Sequence, residues 1–157
     1  MIRIGVISDT HGQFSFAKKV LEKWGKIDYL LHAGDGKSDA LALAHLAKCP
    51  VWAVAGNTDG VLEPQDELID FDGVKILLLH GYQLTPTNRE ERLAELAKRR
   101  KAQVVIYGHT HKPYFNYHQG VLVFNPGSPV RPRNSQPSCG LLEIDNKKIS
   151  AKIIEIT

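Results

Sequence analysis

Five short apolar stretches of this sequence each end in a small or turn-forming residue, followed at once by side chains that can bind metal ions. The five endings are Ser8-Asp9-Thr10-His11-Gly12, Gly34-Asp35-Gly36, Gly56-Asn57-Thr58-Asp59, His80-Gly81 and Gly108-His109-Thr110-His111. Short runs of branched apolar residues predict buried strands, and ligands of an α/β sheet bind in the crevice at the carboxyl ends of its strands. We therefore expect the five loops to meet at one edge of the fold.

The first half of the chain alternates predicted strands with amphipathic helices. Apolar residues spaced three to four apart predict a helix from Phe14 to Trp24, which stops at Gly25, and a second helix from Leu41 to Ala47. The strands predicted around these helices are residues 2–8, 29–33 and 51–55. This βαβαβ order favours parallel strands, because each crossover helix returns the chain to the same end of the sheet.

The second half is rich in strands and contains one more amphipathic helix, predicted over residues 89–101. Asp72-Gly73 is a dipeptide favoured in tight hairpins, so we expect antiparallel pairing on either side of it. The strands predicted here are residues 67–71, 74–79, 104–107, 114–117, 121–124, 141–144 and 149–156. The expected fold class is therefore α/β, with parallel and antiparallel pairing.

Length and composition are typical of one globular domain. The chain has 157 residues, of which 43% are hydrophobic and 24% charged, so we expect a single domain over residues 1–157 that needs no disulfide framework. Cys49 and Cys139 form no CxxC pair, which favours two buried, reduced thiols. The short apolar start and the lack of a long apolar run favour a cytoplasmic protein rather than a membrane protein.

The net charge of +3 is too small to indicate nucleic acid as the main partner. The one basic cluster, Lys98-Arg99-Arg100-Lys101, closes a predicted helix, where cations complement the negative end of the helix dipole. Nucleic acid is therefore a less favoured partner than a small molecule. The sequence leaves formation of a homo-oligomer open.

Seven candidate metal ligands lie in the five loops, and all of them offer oxygen or imidazole nitrogen. They are Asp9, His11, Asp35, Asn57, His80, His109 and His111. A single zinc ion uses four ligands, so seven suit two ions that share a bridging carboxylate and a bridging water. The lack of thiolates favours divalent transition ions, with manganese as the first candidate and nickel, cobalt, iron or zinc as alternatives.

Two divalent ions, two carboxylates and a bridging hydroxide leave a slightly positive centre with open coordination positions. Such a centre suits a phosphate ester, because the ions lower the pKa of bound water toward about 7 and stabilise charge that develops on phosphoryl oxygens. The expected reaction is hydrolysis of a phosphoester by metal-activated water.

The succession of DTH, GD, GNTD, HG and GHTH resembles the calcineurin-like metallophosphoesterase superfamily, and Asn125-Pro126-Gly127-Ser128 resembles its small YfcE-like phosphodiesterase branch. The resemblance implies a four-layer αββα sandwich of two mixed sheets flanked by helices, and hydrolysis of phosphodiesters. It also implies that one metal ion binds Asp9, His11, Asp35 and His111, and the other Asp35, Asn57, His80 and His109. Asp35, Asn57 and His109 are the predicted catalytic residues.

Thr58 departs from many larger relatives, which carry a histidine after the asparagine. That histidine can protonate the leaving group, whereas a threonine hydroxyl is far less acidic. Asp59 is an alternative proton donor, although we favour a role for it in orienting a loop or a ligand imidazole.

Several further residues surround the predicted ligands. His32 is expected to be a hydrogen-bonded residue behind them, and His118 a solvated residue in a hairpin turn. Residues 125–128 either offer backbone amides to a phosphate or form a tight turn beneath the metal loops. Arg131 and Arg133, which follow that turn, are candidates for the mouth of the cleft.

Two other functions fit the sequence less well. A metal-poor, protein-binding scaffold similar to the retromer subunit would have a degraded metal site, whereas here all seven ligand positions are filled. A nuclease or cyclic-nucleotide phosphodiesterase would use the same chemistry, and a basic track beside the cleft would favour the nuclease.

Overall fold

Ten β-strands and three α-helices are present in the residues that this computed structural model describes, 1–59, 65–81 and 84–156. In chain order they are β1 (Ile2–Ile7), α1 (Ala17–Trp24), β2 (Tyr29–His32), α2 (Lys37–Ala47), β3 (Val51–Ala53), β4 (Asp66–Phe71), β5 (Val74–Leu79), α3 (Arg89–Arg99), β6 (Val104–Ile106), β7 (Pro113–His118), β8 (Val121–Pro126), β9 (Ser138–Asp145) and β10 (Lys148–Glu155). Each predicted strand and helix is therefore present, with ends that differ by a few residues. Within the described ranges, no helix is both long enough and apolar enough to cross a membrane.

The first sheet has the strand order β10-β9-β1-β2-β3. β1, β2 and β3 run parallel, as the βαβαβ order predicts, and their register places Val6 opposite Leu31. β9 pairs antiparallel with β1, with Gly140 opposite Val6, and β10 forms a hairpin with β9. The last two strands thus complete a mixed sheet that the first half of the chain begins.

The second sheet has the strand order β4-β5-β6-β8-β7. β4 and β5 form the predicted hairpin, in which Asp72 and Gly73 have positive φ values of 51° and 93°. A two-residue turn with this twist needs positive φ at both positions, which favours Asp-Gly. β5, β6 and β8 are parallel, and β7 pairs antiparallel with β8 at the edge of the sheet.

The two sheets pack face to face, and helices cover their outer faces. The core between the sheets contains Val6 and Leu31 from the first sheet and Ile76, Ile106 and Phe124 from the second. α1 and α2 pack on the outer face of the first sheet, and α3 packs on that of the second. This arrangement confirms the expected four-layer αββα sandwich of two mixed sheets.

Both helices of the first half begin at residues other than those predicted. α1 begins at Ala17 rather than Phe14, and α2 begins at Lys37 rather than Leu41. The first turn of α2 is polar, so apolar spacing does not detect it. That turn is stabilised from elsewhere in the chain, because the carboxylate of Asp59 accepts a hydrogen bond from the backbone N–H of Lys37.

The expectations for His118 and Cys49 are wrong in part. His118 ends β7 instead of lying in the turn, and it is partly buried, with its Nε2 atom 2.7 Å from the hydroxyl of Tyr114. Cys49 is only partly buried, whereas Cys139 is fully buried as expected, and both are free thiols. Burial raises the pKa of Cys139 to about 12, so this thiol is protonated at neutral pH.

Gly140 occupies a position in β9 where the two sheets approach closely. A β-carbon at Gly140 would lie 2.5 Å from Cε1 of Phe124 and 3.4 Å from Cβ of Val6. The Gly140 carbonyl also accepts a hydrogen bond of 2.7 Å from the indole of Trp24 in α1. Gly140 therefore lies close to the core residue Phe124 and is also hydrogen-bonded to α1.

We expect Gly140→Ala to lower the free energy of unfolding by about 1–3 kcal/mol, because the added methyl group overpacks the contact with Phe124. Urea unfolding followed by circular dichroism measures this change. Ser150→Ala, on the exposed part of the neighbouring strand β10, is the matched control and should leave stability within about 0.5 kcal/mol of the parent. Equal stability of Gly140→Ala and the parent would show that Phe124 moves aside freely.

Candidate metal centre

The loops after β1, β2, β3, β5 and β6 meet at one edge of the packed sheets. Backbone hydrogen bonds join neighbouring loops: Asp9 N–H donates to Gly34 O at 2.9 Å, His11 N–H to Asp35 O at 2.8 Å, and Gly108 N–H to His80 O at 3.1 Å. The convergence predicted from the five strand endings is therefore present, within each sheet and between the two sheets.

The backbone of these loops is unusual at the candidate ligands. Five of the seven have positive φ values between 50° and 70°, namely Asp9, His11, Asp35, His109 and His111. This left-handed conformation costs an L-residue roughly 1–2 kcal/mol, and such strain concentrates at functional sites. The loops adopt the left-handed conformation at these residues, whose side chains contribute to one cluster.

The carboxylate of Asp9 is fully buried at the centre of the cluster. Its Oδ2 atom accepts hydrogen bonds from the Ser8 hydroxyl at 2.7 Å and from the backbone N–H of His109 at 3.0 Å. Its Oδ1 atom has no hydrogen-bond partner and lies 3.3 Å from Nε2 of His111 and 3.8 Å from Nε2 of His80. A buried carboxylate oxygen without a donor is costly, and imidazole nitrogens around it are what a metal ion requires.

The orientation of His111 strengthens this interpretation. Its Nδ1 atom lies 2.7 Å from the carbonyl of Arg131 and must donate to it, because a carbonyl oxygen can only accept. The Nε2 atom of the neutral ring therefore presents its lone pair to the site, 3.3 Å from Nε2 of His11 and 3.3 Å from Oδ1 of Asp9. These atoms repel one another unless a cation or a proton lies between them, so the residues present fit a divalent metal ion.

Asp35 lies between histidines of different loops. Its Oδ1 atom accepts hydrogen bonds from both the backbone N–H and the hydroxyl of Thr58, each at 2.8 Å. Its Oδ2 atom lies 3.3 Å from Nε2 of His80 and 3.8 Å from Nε2 of His11. His80 is held in turn by its Nδ1 atom, which donates to the carbonyl of Ala33 at 2.6 Å. This position suits the predicted bridging role of Asp35.

Both carboxylates are ionised at neutral pH. Burial raises the pKa of Asp9, but the neighbouring imidazoles of His111 and His80 and the hydrogen bond from Ser8 outweigh it and hold that pKa below its usual value. Burial also raises the pKa of Asp35, but hydrogen bonds from His80 and Thr58 lower it by more. This pKa therefore also lies below its usual value. Carboxylate oxygens of Asp9 and Asp35 lie within 4.8 Å of each other, so a cation between them would relieve their repulsion.

The described residues form two groups of candidate ligands. One contains Asp9, His11 and His111, and the other contains Asp9, Asp35 and His80. Asn57 adjoins the second group, with its Oδ1 atom 3.1 Å from Nε2 of His80. The ring of His109 packs edge-on against that of His80, with 5.2 Å between ring centroids. The structure thus gathers all seven predicted ligands, and Asp9 as well as Asp35 lies between the two halves of the set.

Thr58 and Asp59 have positions that the sequence motif did not reveal. Thr58 holds one oxygen of Asp35, as described above. Asp59 accepts hydrogen bonds from the backbone N–H groups of Asp35 at 2.8 Å, Gly56 at 2.9 Å and Gly36 at 3.2 Å. Asp59 therefore ties the loop after β3 to the start of α2, which agrees with the loop-orienting role favoured for it.

His32 lies behind the ligands, as predicted. It is fully buried, and burial lowers its pKa to about 4, so the ring is neutral. Its Nδ1 atom accepts a hydrogen bond from Gly34 N–H at 3.1 Å. Its Nε2 atom, which then carries the proton, lies 3.0 Å from the hydroxyl of Thr10. His32 thus connects the loops that carry Asp9 and Asp35.

The segment from Asn125 to Ser128 packs beneath the metal loops, which decides between its two predicted roles. The side-chain amide of Asn125 donates to the carbonyl of Gly108 at 3.2 Å. The hydroxyl of Ser128 donates to the carbonyl of Asp9 at 2.8 Å. Both side chains are fully buried, so this segment supports the ligand loops from within the protein.

A cavity of about 650 Å³ opens beside the cluster, and its lining includes His11, Asp35, Asn57, His109 and His111. This size is typical of pockets that take small molecules. Arg133 lines the same cavity, whereas Arg131 lines a smaller one of about 420 Å³ that also borders His11 and Asp35. Both arginines therefore reach the neighbourhood of the cluster.

We expect Asp35→Asn to lower metal binding more broadly than Asn57→Ala does, because Asp35 lies beside His11 and His80, which belong to different ligand sets, whereas Asn57 adjoins only one set. Equilibrium dialysis against Mn²⁺ with metal analysis should find about two ions bound per parent chain, about one in Asn57→Ala, and less than one in Asp35→Asn. One ion retained tightly by Asp35→Asn would show that Asp35 serves a single metal position.

Comparison with known proteins gives an independent result. Residues 2–147 match the calcineurin-like phosphoesterase superfamily domain. A relative from Methanothermobacter thermautotrophicus, named "Probable metallophosphoesterase", is 34% identical to this chain, over 96% of this chain and 91% of its own length. Phosphodiesterase YfcE of Escherichia coli is 28% identical over 92% of this chain and 89% of its own.

Solved structures agree with the observed fold. The crystal structure of a predicted phosphoesterase from Streptococcus pneumoniae has a TM-score of 0.81 and 25% identity, and covers 99% of this chain and 92% of that one. Vps29 from Entamoeba histolytica complexed with zinc has a TM-score of 0.79 over 99% of this chain and 100% of that one, and at 24% identity it shows the fold alone. Because the family match spans nearly the whole sequence, this chain belongs to the calcineurin-like phosphoesterase superfamily.

Proposed function

We propose that this protein hydrolyses phosphodiesters at a centre of two divalent transition metal ions, of which manganese is the first candidate. The observation that carries the proposal is the buried Oδ1 atom of Asp9, which lacks a hydrogen-bond donor and faces imidazole nitrogens. The membership of the chain in a phosphoesterase superfamily and its likeness to a protein named as a phosphodiesterase support the reaction class.

The proposed ligand sets are those that the resemblance to the superfamily implies. Asp9, His11, Asp35 and His111 hold one ion, and Asp35, Asn57, His80 and His109 hold the other. When bound, the ions supply Lewis acids for the phosphoryl oxygens and a water of lowered pKa. The surrounding chain fixes the ligands: Thr58 holds Asp35, and backbone carbonyls orient the rings of His80 and His111.

His109 borders the cavity and is the third predicted catalytic residue. Burial lowers its pKa, and the positive charges of His80 and Arg89 lower it further. The ring is therefore neutral at neutral pH, which leaves a nitrogen lone pair available as a ligand. Its backbone N–H is held by Oδ2 of Asp9, so the position of the ring is coupled to the centre of the cluster.

A protein-binding scaffold is the less favoured function, because the described residues include a complete and converging set of ligands. Metal binding alone does not separate the two functions, since Vps29 of Entamoeba histolytica has been crystallised with zinc. A nuclease or cyclic-nucleotide phosphodiesterase remains a version of the same chemistry with a different substrate. Turnover of a diester is therefore the deciding measurement.

We expect chelation of metal to abolish hydrolysis of bis(4-nitrophenyl) phosphate, and addition of Mn²⁺, Ni²⁺ or Co²⁺ to restore it. Release of 4-nitrophenolate provides the rate, and metal analysis verifies removal. The Asp9→Asn variant is the control for adventitious contaminating activity. A protein that binds metal but shows no turnover would favour the scaffold, and full turnover after verified removal would exclude the proposed mechanism.

Neither residue after Asn57 is available to protonate a leaving group. The hydroxyl of Thr58 donates to Asp35, and the carboxylate of Asp59 accepts from backbone N–H groups. Charge that builds up on the departing oxygen is therefore not neutralised by these side chains. The rate should depend strongly on how well the leaving group stabilises that charge.

We expect the rate of the parent to rise steeply as the pKa of the leaving alcohol falls, and Thr58→His to flatten this dependence. Thr58→Val is the matched control, because it loses the same hydrogen bond to Asp35 without gaining an imidazole; it should lower the rate and keep the steep slope. The measurement is kcat/KM for a series of aryl and alkyl diesters. A flat dependence in the parent would mean that another acid operates or that chemistry does not limit the rate.

A further inference from the structure

Arg89, the first residue of α3, is a buried cation that the metal chemistry does not use. Only 8% of the residue is exposed, and its Nε atom is buried without a hydrogen-bond partner. Within the described ranges, the guanidinium makes one hydrogen bond, from Nη2 to the carbonyl of Leu84 at 3.1 Å. Among the described parts of the chain, no carboxylate lies within ion-pair distance of it. A buried charge in this state is costly unless a partner completes it.

The side chain of Arg89 borders the 650 Å³ cavity that also borders the metal ligands. Its position is therefore one that an ester arm would reach while the phosphoryl group contacts the cluster.

The charge of the cavity wall favours an anion. Apart from the metal ligands, the described residues of the wall include the cations Arg89, Lys112 and Arg133 and one carboxylate, that of Glu90. Glu90 is already engaged, because its Oε2 atom accepts a hydrogen bond of 2.6 Å from the hydroxyl of Tyr107. Lys112 and Arg133 are exposed and screened by solvent, whereas Arg89 is buried and held in place. Arg89 is thus the positioned cation of this wall.

We propose that Arg89 binds a second anionic group of the substrate, on the ester arm that occupies this cavity. The inference rests on the proposed phosphodiesterase function and narrows its substrate class: a phosphodiester in which one arm carries a further phosphate or carboxylate. A guanidinium suits such a group because its N–H donors match two oxygens at once. Arg89 acts here as a specificity-determining residue, and the anion binds the end of the guanidinium that borders the cavity.

A matched pair of substrates tests this proposal. The 4-nitrophenyl ester of thymidine 5′-phosphate and the same ester with an added 3′-phosphate share the scissile bond and the leaving group, and differ only in the second anion. We expect the parent to show a kcat/KM about 10- to 100-fold higher for the ester with the 3′-phosphate, which is the range expected for a charge-assisted hydrogen bond in a partly buried site.

The variants Arg89→Met and Arg92→Met separate the effect of Arg89 from the general loss of a positive charge. Arg92 lies on the same helix, is exposed and does not line the cavity. The ratio of kcat/KM between the two esters should fall to near one in Arg89→Met, recover in part in Arg89→Lys, and stay at the parent value in Arg92→Met. Thermal unfolding of each variant measures any loss of stability, including that caused by removing the hydrogen bond from Arg89 to the carbonyl of Leu84.

A second readout does not need catalysis. With Mn²⁺ present, isothermal titration should show thymidine 3′,5′-bisphosphate binding more tightly than thymidine 5′-phosphate in the parent, and this difference should disappear in Arg89→Met. If neither ester is hydrolysed, the proposed function fails and the binding difference alone decides the role of Arg89. The inference would be overturned if the parent bound both thymidine phosphates with equal affinity, or if the ratio of kcat/KM between the two esters were unchanged in Arg89→Met. Arg89 would then have a structural role only.

Discussion

The buried carboxylate of Asp9 is the constraint on which the site depends most. It follows β1 in the first sheet, and it accepts a hydrogen bond from the backbone of His109, which follows β6 in the second sheet. Its other oxygen faces His80 and His111, also from the second sheet. One ionised group thus holds the ligand-bearing edges of both sheets together. Because that group is charged and only partly satisfied by the protein, the same interaction creates the demand for a cation.

The remaining ligands are held by contacts that support one another. Thr58 and Asp59 belong to the loop after β3, yet they fix the side chain and the backbone of Asp35 in the loop after β2. His32 connects the loops after β1 and β2 from below, and Ser128 supports the backbone of Asp9. Such a network can maintain the left-handed backbone conformations of the ligand residues, which isolated loops would not keep.

The cavity lies on one side of the cluster, and its walls differ in character. Ligand rings form one wall, and the start of α3 forms another, where Arg89 and Glu90 lie side by side in sequence. Their surroundings differ, since Glu90 accepts a hydrogen bond from the hydroxyl of Tyr107, while the Nε atom of Arg89 has no hydrogen-bond partner among the described residues. The candidate metal ligands and this charged wall therefore border the same cavity.

The sequence by itself determined the strands, the helices, the α/β fold class and the seven candidate ligands. It could do so because apolar periodicity and turn residues are local signals, and because parallel strands direct their carboxyl ends to one edge. The polar first turn of α2 escaped prediction, since its stabilising partner, Asp59, lies in a later loop. The tertiary structure alone likewise decided three further features: the position of Asp9 between both ligand groups, the hydrogen bonds from Thr58 to Asp35 and the burial of Arg89. Each depends on distances between residues far apart in the chain, which no local pattern encodes.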